Sequence, residues 1–246
     1  MIPIKDTIHS RSFPLVTWLL VVVNVMVFVL IELPLGQIQL NRLISTYGVT
    51  PNLCAEPFLR SLSLASIPGV GTLFNGCALP LFTSLFLHGG WIHLIGNMWV
   101  LIIFGDNVED RMGSIGFLAF YLICGVVSGL TQAFIAPTSG VPAIGASGAI
   151  AGVLAAYLVF FPSARVVTLI LLIIIPLFVN IPAVVFIVIW FFLQFFNGVL
   201  STGAAASGGV AYWAHVGGFI CGLLIVWLFG RSRNRPKTYP DEYYPW

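Results

Sequence analysis

Six apolar runs separated by polar breaks set the layout of this chain. They fall near 14–31, 81–104, 114–134, 147–161, 183–199 and 211–229. They lack the strict alternation of a half-buried strand and read as helices that are apolar all round. Pro14 and Pro182 stand where a first helical turn accepts proline, because the N–H they lack would have no partner there. A further apolar stretch, Val166 to Val179, carries Pro176. It offers about 14 residues where a spanning helix needs about 20, so it reads as interfacial or re-entrant on the inner side. One connection, 32–80, is both long and polar, and its length predicts a loop that folds against the helices.

Composition fixes the solvent. Of 246 residues, 59% are hydrophobic and 7% charged, against roughly 25% charged in soluble domains. The chain therefore belongs in a lipid bilayer. Six crossings bring both ends to one side, together with the connections near 105–113 and 162–182. Lys5, Arg11, Arg111, Arg165, Arg231, Arg233, Arg235 and Lys237 then share that side, and Arg42 and Arg60 lie opposite. Such a bias marks the cytoplasmic face, so both termini are expected there. A seventh crossing at 166–179 would put the basic tail outside.

Residues 1–13 thus read as a cytoplasmic leader, 14–230 as one membrane domain and 231–246 as a disordered cytoplasmic tail, basic and then rich in Tyr and Pro. The tail cations follow an apolar run directly, which fits a membrane-surface anchor and not a nucleic-acid patch. The first run leads into Glu32-Leu33-Pro34 without a small-residue cleavage site, so no secretory leader is expected.

The polar residues narrow the chemistry. All eight acids, Asp6, Glu32, Glu56, Asp106, Glu109, Asp110, Asp241 and Glu242, fall outside the six runs. That speaks against an ion-coupled carrier, which needs a buried acid in its path, and against a paired-carboxylate protease. There is no H-E-x-x-H string and no cysteine pair at zinc spacing, so neither metal nor cofactor is expected.

What the runs hold is histidine. His88, His93 and Asn97 lie in H-G-G-W-I-H-L-I-G-N, with His93 and Asn97 on one helical face. Gly145-Ala-Ser147-Gly148 opens the fourth run, and His215 stands in the sixth. Even-numbered runs start at the outer face, so these groups fall within one shallow layer. The fourth run spans about 22 Å against a hydrocarbon core of about 30 Å, which sinks Ser147 beneath the outer surface and requires a wet cavity. A serine, a histidine base and donors for an oxyanion make a chemically sensible set. With no carboxylate at hand it is a dyad. Gly218 and Gly222 form a G-x-x-x-G face one turn below His215, suited to close approach at Gly148 and Gly152.

From about Leu79 to Leu228, the ordered strings H-x4-H-x3-N (His88, His93, Asn97), G-A-S-G (145–148) and A-H-x-G-G-x-x-x-G (214–222) resemble the rhomboid intramembrane proteases, in particular their bacterial six-span members. Singly each string is weak, and together they are specific. The resemblance implies an all-α polytopic membrane protein, a six-transmembrane-helix bundle with a folded first extracytoplasmic loop. It implies Ser147 as nucleophile, His215 as base, and His93 and Asn97 with the serine N–H as the oxyanion site. His88, Gly145, Gly148, Gly218 and Gly222 would be supporting residues. Glu109-Asp-Arg111-Met-Gly113 is similar to a structural turn between the second and third spans. Some members carry a tyrosine one turn after the serine, packed on the base; that position is Ala151. What orients His215 is then open, with Trp190, Phe191 and Tyr157 as candidates.

The expected partners are the bilayer and transmembrane protein substrates, cut near the outer face after local unwinding frees their backbone carbonyls. The expected location is the bacterial plasma membrane. An inactive rhomboid-like scaffold that binds transmembrane helices is the alternative, and a small-molecule channel or carrier is a more distant one. Cys54 and Cys77 share the extracytoplasmic segment and form a candidate disulfide. Cys124 and Cys221 lie in apolar runs as small packing residues.

Overall fold

The computed structural model describes residues 1–55, 77–172, 175–203 and 210–229. The expected disordered tail, Glu56 and Arg60 lie outside the described residues. Helices dominate. In chain order they are α1 (Leu15–Val27, continued by a π turn Phe28–Glu32), α2 (Gln37–Tyr47), α3 (Ala78–Thr83), α4 (Trp91–Met112), α5 (Ser114–Ile135), α6 (Ser147–Phe160), α7 (Ala183–Gly203) and α8 (Tyr212–Phe229). Among the described residues, four stretches are long and apolar enough to cross a membrane: Leu15–Glu32, Trp91–Met112, Ser114–Ile135 and Ala183–Ser201. Ser147–Phe160 and Tyr212–Leu228 are shorter apolar helices. The chain is an integral multi-pass membrane protein.

α6 lies at the centre. Every residue from Gly148 to Tyr157 is buried, and the small side chains of Gly148, Ala149, Ala151, Gly152, Ala155 and Ala156 let neighbours close on all sides. α8 packs most extensively on α6 and α5, and α4 closes another side of α6. Phe104, Phe117, Tyr121, Leu154 and Ile187 fill the spaces between.

Three expectations need correction. The second apolar run, 81–104, is not one helix. It breaks at Gly89-Gly90, where Gly90 takes φ 150°, and α4 then runs on to Met112. Asp106, Glu109 and Asp110 therefore lie inside a helix and not in a loop. Glu32 likewise ends the α1 π turn and is 2% exposed.

The chain is also not all-α. The stretch 166–179 forms a hairpin of β2 (Arg165–Leu172) and β3 (Ile175–Pro182), paired Arg165↔Pro182 through Leu172↔Ile175. β1 (Ile2–Asp6), in the expected leader, adds an antiparallel third strand with Ile2 opposite Leu169 and Asp6 opposite Val166. Val, Ile and Thr favour a pleated surface, and Pro176 and Pro182 are admissible on an edge strand but would break a helix interior.

The Glu109 turn does more than join two spans. Its buried carboxylate accepts from Val16 N (2.9 Å), Thr17 N (2.8 Å) and Thr17 Oγ1 (2.9 Å) of α1, and from Ser114 Oγ (2.6 Å) of α5. It thereby satisfies the free N–H groups at the start of α1 and ties three helix ends together.

Candidate active site

Ser147 is the first residue of α6, and the loop before it is held by backbone bonds to neighbouring segments. Gly145 N donates to Ser84 O (2.8 Å), Val49 and Ala143 exchange backbone bonds (3.0 and 2.8 Å), and Asn52 N donates to Ser139 O (3.0 Å). Cys54 and Cys77 are joined as a disulfide with Cα atoms 5.3 Å apart. They pack with Val49, Leu81 and Ala133 in a small second core. Gly145 takes φ +117°, and a Cβ there would stand 2.6 Å from His93 Nε2. Glycine is thus required on both conformational and steric grounds.

His215 sits one turn into α8. Its Nε2 is 2.7 Å from Ser147 Oγ, and its Nδ1 is 2.8 Å from Gln194 Oε1 of α7. The seam beneath brings the two helices to backbone contact. A Cβ on Gly218 would overlap the Gly148 carbonyl, and one on Gly222 would lie 2.6 Å from Gly152 O and 2.7 Å from its Cα. Ala214 N at the top of α8 donates to Gln132 Oε1 of α5 (3.2 Å).

Opposite the serine, α4 presents His93 and Asn97. Asn97 is 8% exposed, and its Nδ2 is buried without a hydrogen-bond partner among the described residues. His93 Nδ1 accepts a long bond from Gly89 N (3.4 Å), which assigns the ring proton to Nε2, beside Gly145. A cavity of about 550 Å³ is lined by His93, Asn97, Ser147 and His215, with Trp190 and Phe186 of α7, Pro3 of β1 and Met1 just before it.

His88 stands behind His93, ring centroids 5.1 Å apart. Its backbone N donates to the Glu32 carboxylate (3.1 and 3.2 Å), and its two ring nitrogens are buried without partners among the described residues. Burial, and secondarily the neighbouring His93, push its imidazole down to about 4, so it is neutral. It does not line the cavity.

Of the candidates for orienting His215, Trp190 lies beside it, ring centroids 5.9 Å apart. Phe191 stacks on Phe219 at 4.5 Å, and Tyr157 donates to Asp6 Oδ2 at 2.5 Å, away from the cavity. Gln194 escaped the reading of the sequence. The available signal was that, Trp190 apart, it is the only residue from Ala183 to Phe196 with a hydrogen-bonding side chain.

Residues 75–232, more than half of the chain, match the Rhomboid domain family. Rhomboid-like protein 11, chloroplastic, of Arabidopsis thaliana is 40% identical over 73 residues, 30% of this chain and 26% of that protein. Presenilin-associated rhomboid-like protein A, mitochondrial, of Danio rerio is 38% identical over 89 residues, 35% of this chain and 23% of its own. The human presenilin-associated rhomboid-like protein, mitochondrial, is 36% identical over 88 residues, again 35% and 23%. Each match spans about a quarter of the relative's length.

Proposed function

Because the chain belongs to the rhomboid family, we propose that it is an intramembrane serine endopeptidase acting through Ser147 and His215. The observation that carries this reading is the 2.7 Å contact between Ser147 Oγ and His215 Nε2 in a cavity that also holds buried donors. Ser147 Oγ attacks the scissile carbonyl carbon while its proton passes to Nε2. The carbonyl oxygen becomes an oxyanion facing Asn97 Nδ2, His93 Nε2–H and the Ser147 N–H at the start of α6. Collapse breaks the C–N bond, and His215 returns the proton to the leaving amine. Water activated by the same imidazole then hydrolyses the ester. A buried N–H without a partner costs roughly 1–3 kcal/mol, and an oxyanion against Asn97 removes that cost only as charge develops.

In this reading the four long helices and the two shorter ones, α6 and α8, make six crossings with both termini cytoplasmic. α6 covers about 21 Å of a core about 30 Å thick, so Ser147 is sunk below the outer face. The substrate is a transmembrane segment of another protein, cut near that face once locally unwound. The relatives' names are chloroplastic and mitochondrial, and they give the expected bacterial plasma membrane no support.

The test is phosphonylation of the purified protein in detergent by a fluorophosphonate, with the modified residue located by mass spectrometry. It is run alongside cleavage of a transmembrane reporter in liposomes. Ser147→Ala abolishes both, and His215→Ala reduces labelling severely. Asn97→Ala keeps the nucleophile and slows both by about 10², the lower end for loss of one oxyanion donor. Folded protein that is neither labelled at Ser147 nor able to cleave would sink the protease reading in favour of a helix-binding scaffold.

A further inference from the structure

The ring of His215 has both nitrogens engaged, and only one partner belongs to the dyad. Nε2 faces Ser147 Oγ at 2.7 Å, and Nδ1 faces the side-chain amide of Gln194 at 2.8 Å. A neutral imidazole carries one proton, and its position decides whether the ring can act as a base. If the proton is on Nδ1, the Nε2 lone pair accepts from Ser147 and can take its proton. If it is on Nε2, the ring donates to Ser147 and cannot.

Gln194 decides between the two. Its Nε2 lies 3.5 Å from Trp190 O one turn back on α7, a long contact that only the amide's donor end can satisfy. That turns Oε1, a pure acceptor, toward His215. An acceptor there requires a proton on Nδ1. Trp190 bounds the ring on its flank, at 5.9 Å between centroids, while Ala151 leaves the adjoining α6 position without an aromatic.

We infer that Gln194 is a positioning residue that fixes His215 in the Nδ1-protonated tautomer and aims its Nε2 at Ser147. The inference rests on the proposed Ser147–His215 chemistry and extends it from a dyad to a serine–histidine–amide relay. A neutral amide cannot offset a developing imidazolium as a carboxylate does. Its contribution is orientation and tautomer, carried by an α7 side chain onto an α8 ring.

Two variants separate orientation from packing. Gln194→Leu keeps the bulk and removes the acceptor, and Gln194→Glu keeps an acceptor at the same reach. Gln194→Leu is expected to slow phosphonylation of Ser147 roughly ten- to hundredfold. That lies between the loss of one neutral hydrogen bond and the ~10⁴ seen where a carboxylate sets the tautomer. The turnover number falls and KM for the reporter stays unchanged. Gln194→Glu is expected to stay within severalfold of the parent.

The second readout is the 15N spectrum of histidine-labelled protein in detergent, with His215 assigned by its loss in His215→Asn. The parent shows His215 protonated on Nδ1, and Gln194→Leu shows a mixture of tautomers. Unchanged labelling in Gln194→Leu, or an equal fall in both variants, overturns the inference. Should Gln194→Leu not fold, the parent spectrum decides alone: a ring protonated on Nε2 overturns it. Failure of the parent to label at Ser147 is a different result. It removes the protease reading, while the tautomer still reports on Gln194.

Discussion

The cavity has two walls of opposite character. One is α4 with the seam of α6 and α8 backed by α5, where glycines bring α6 and α8 backbone against backbone and hydrogen bonds and a disulfide hold the loop into Ser147. The other is α7 with Met1 and Pro3 at the amino-terminal end, where β1 joins the three-stranded sheet. The apolar window of α7 is 17% buried, against 50% for that of α4, and all but one residue of β3 is exposed. The proposed nucleophile and base sit on the first wall, where interatomic distances are set by closely packed backbone. The second supplies Gln194, Trp190 and Phe186, side chains that orient and enclose. Opening a path costs least where little is buried, so under the proposed function the chemistry belongs to the stiff wall and access to the soft one.

The same substitution on each wall breaks or upholds this contrast. Gly222→Ala puts a Cβ 2.6 Å from Gly152 O and 2.7 Å from its Cα, so two helices must separate. A misplacement of about 1 Å costs on the order of 10² in rate, and that is the expected fall in Ser147 phosphonylation. Gly198→Ala on α7 first meets the Trp213 side chain, at 3.2 Å, which needs to give by only a few tenths of an ångström, and it gains helix propensity. Its labelling rate is expected within twofold of the parent. Equal effects at the two positions would show that the walls do not differ.

Much of the stiff wall was legible in the sequence, because its determinants are local strings: a serine after Gly145, a histidine one turn above Gly218, and His93 four residues before Asn97. The soft wall was not. An apolar run of Val, Ile and Leu has no period that separates a hairpin from a short helix, and β1 finds its partner more than 150 residues away. In the sequence Glu109 looks like part of a local turn, because its amide partners, Val16 and Thr17, lie 93 and 92 positions earlier. Gln194 meets His215 only through the rotation of α7 against α8, which no string encodes.

A middle-sized effect is expected from the disulfide, which stiffens the first wall from outside. Reducing Cys54–Cys77, or replacing both by serine, frees a loop with a sequence separation of 23. The chain-entropy contribution lost is about 3 kcal/mol. Because Val49 and Asn52 hold the 139–143 loop, amide exchange there is expected to speed up on reduction, and labelling of Ser147 to slow severalfold. Mass-spectrometric exchange with and without reductant checks it. Unchanged exchange over 139–143 would detach the disulfide from the site.

The smallest effect concerns the foot of the soft wall, where Asp6 ends β1. Its carboxylate accepts from Tyr157 OH (2.5 Å) and Asn107 Nδ2 (2.8 Å). Burial pushes it up to about 7 against an ordinary 3.8, with the Tyr157 bond opposing and nearby Asp106 adding to the rise. Between about pH 4 and 7 the folded protein thus holds a proton on Asp6 that the unfolded chain has released. Stability must fall as pH rises through that window and level off above it, since the slope follows the protons bound in the unfolded state minus those bound in the native state. Asp6→Asn keeps the acceptor for Tyr157 and removes the titration. Thermal unfolding in detergent is expected to lose this downward component in the variant, while Ser147 labelling at neutral pH barely changes, because the acceptor for Tyr157 and Asn107 is kept. An identical pH profile in parent and variant would mean that the strand is not held by this acid, and that the soft wall is anchored elsewhere.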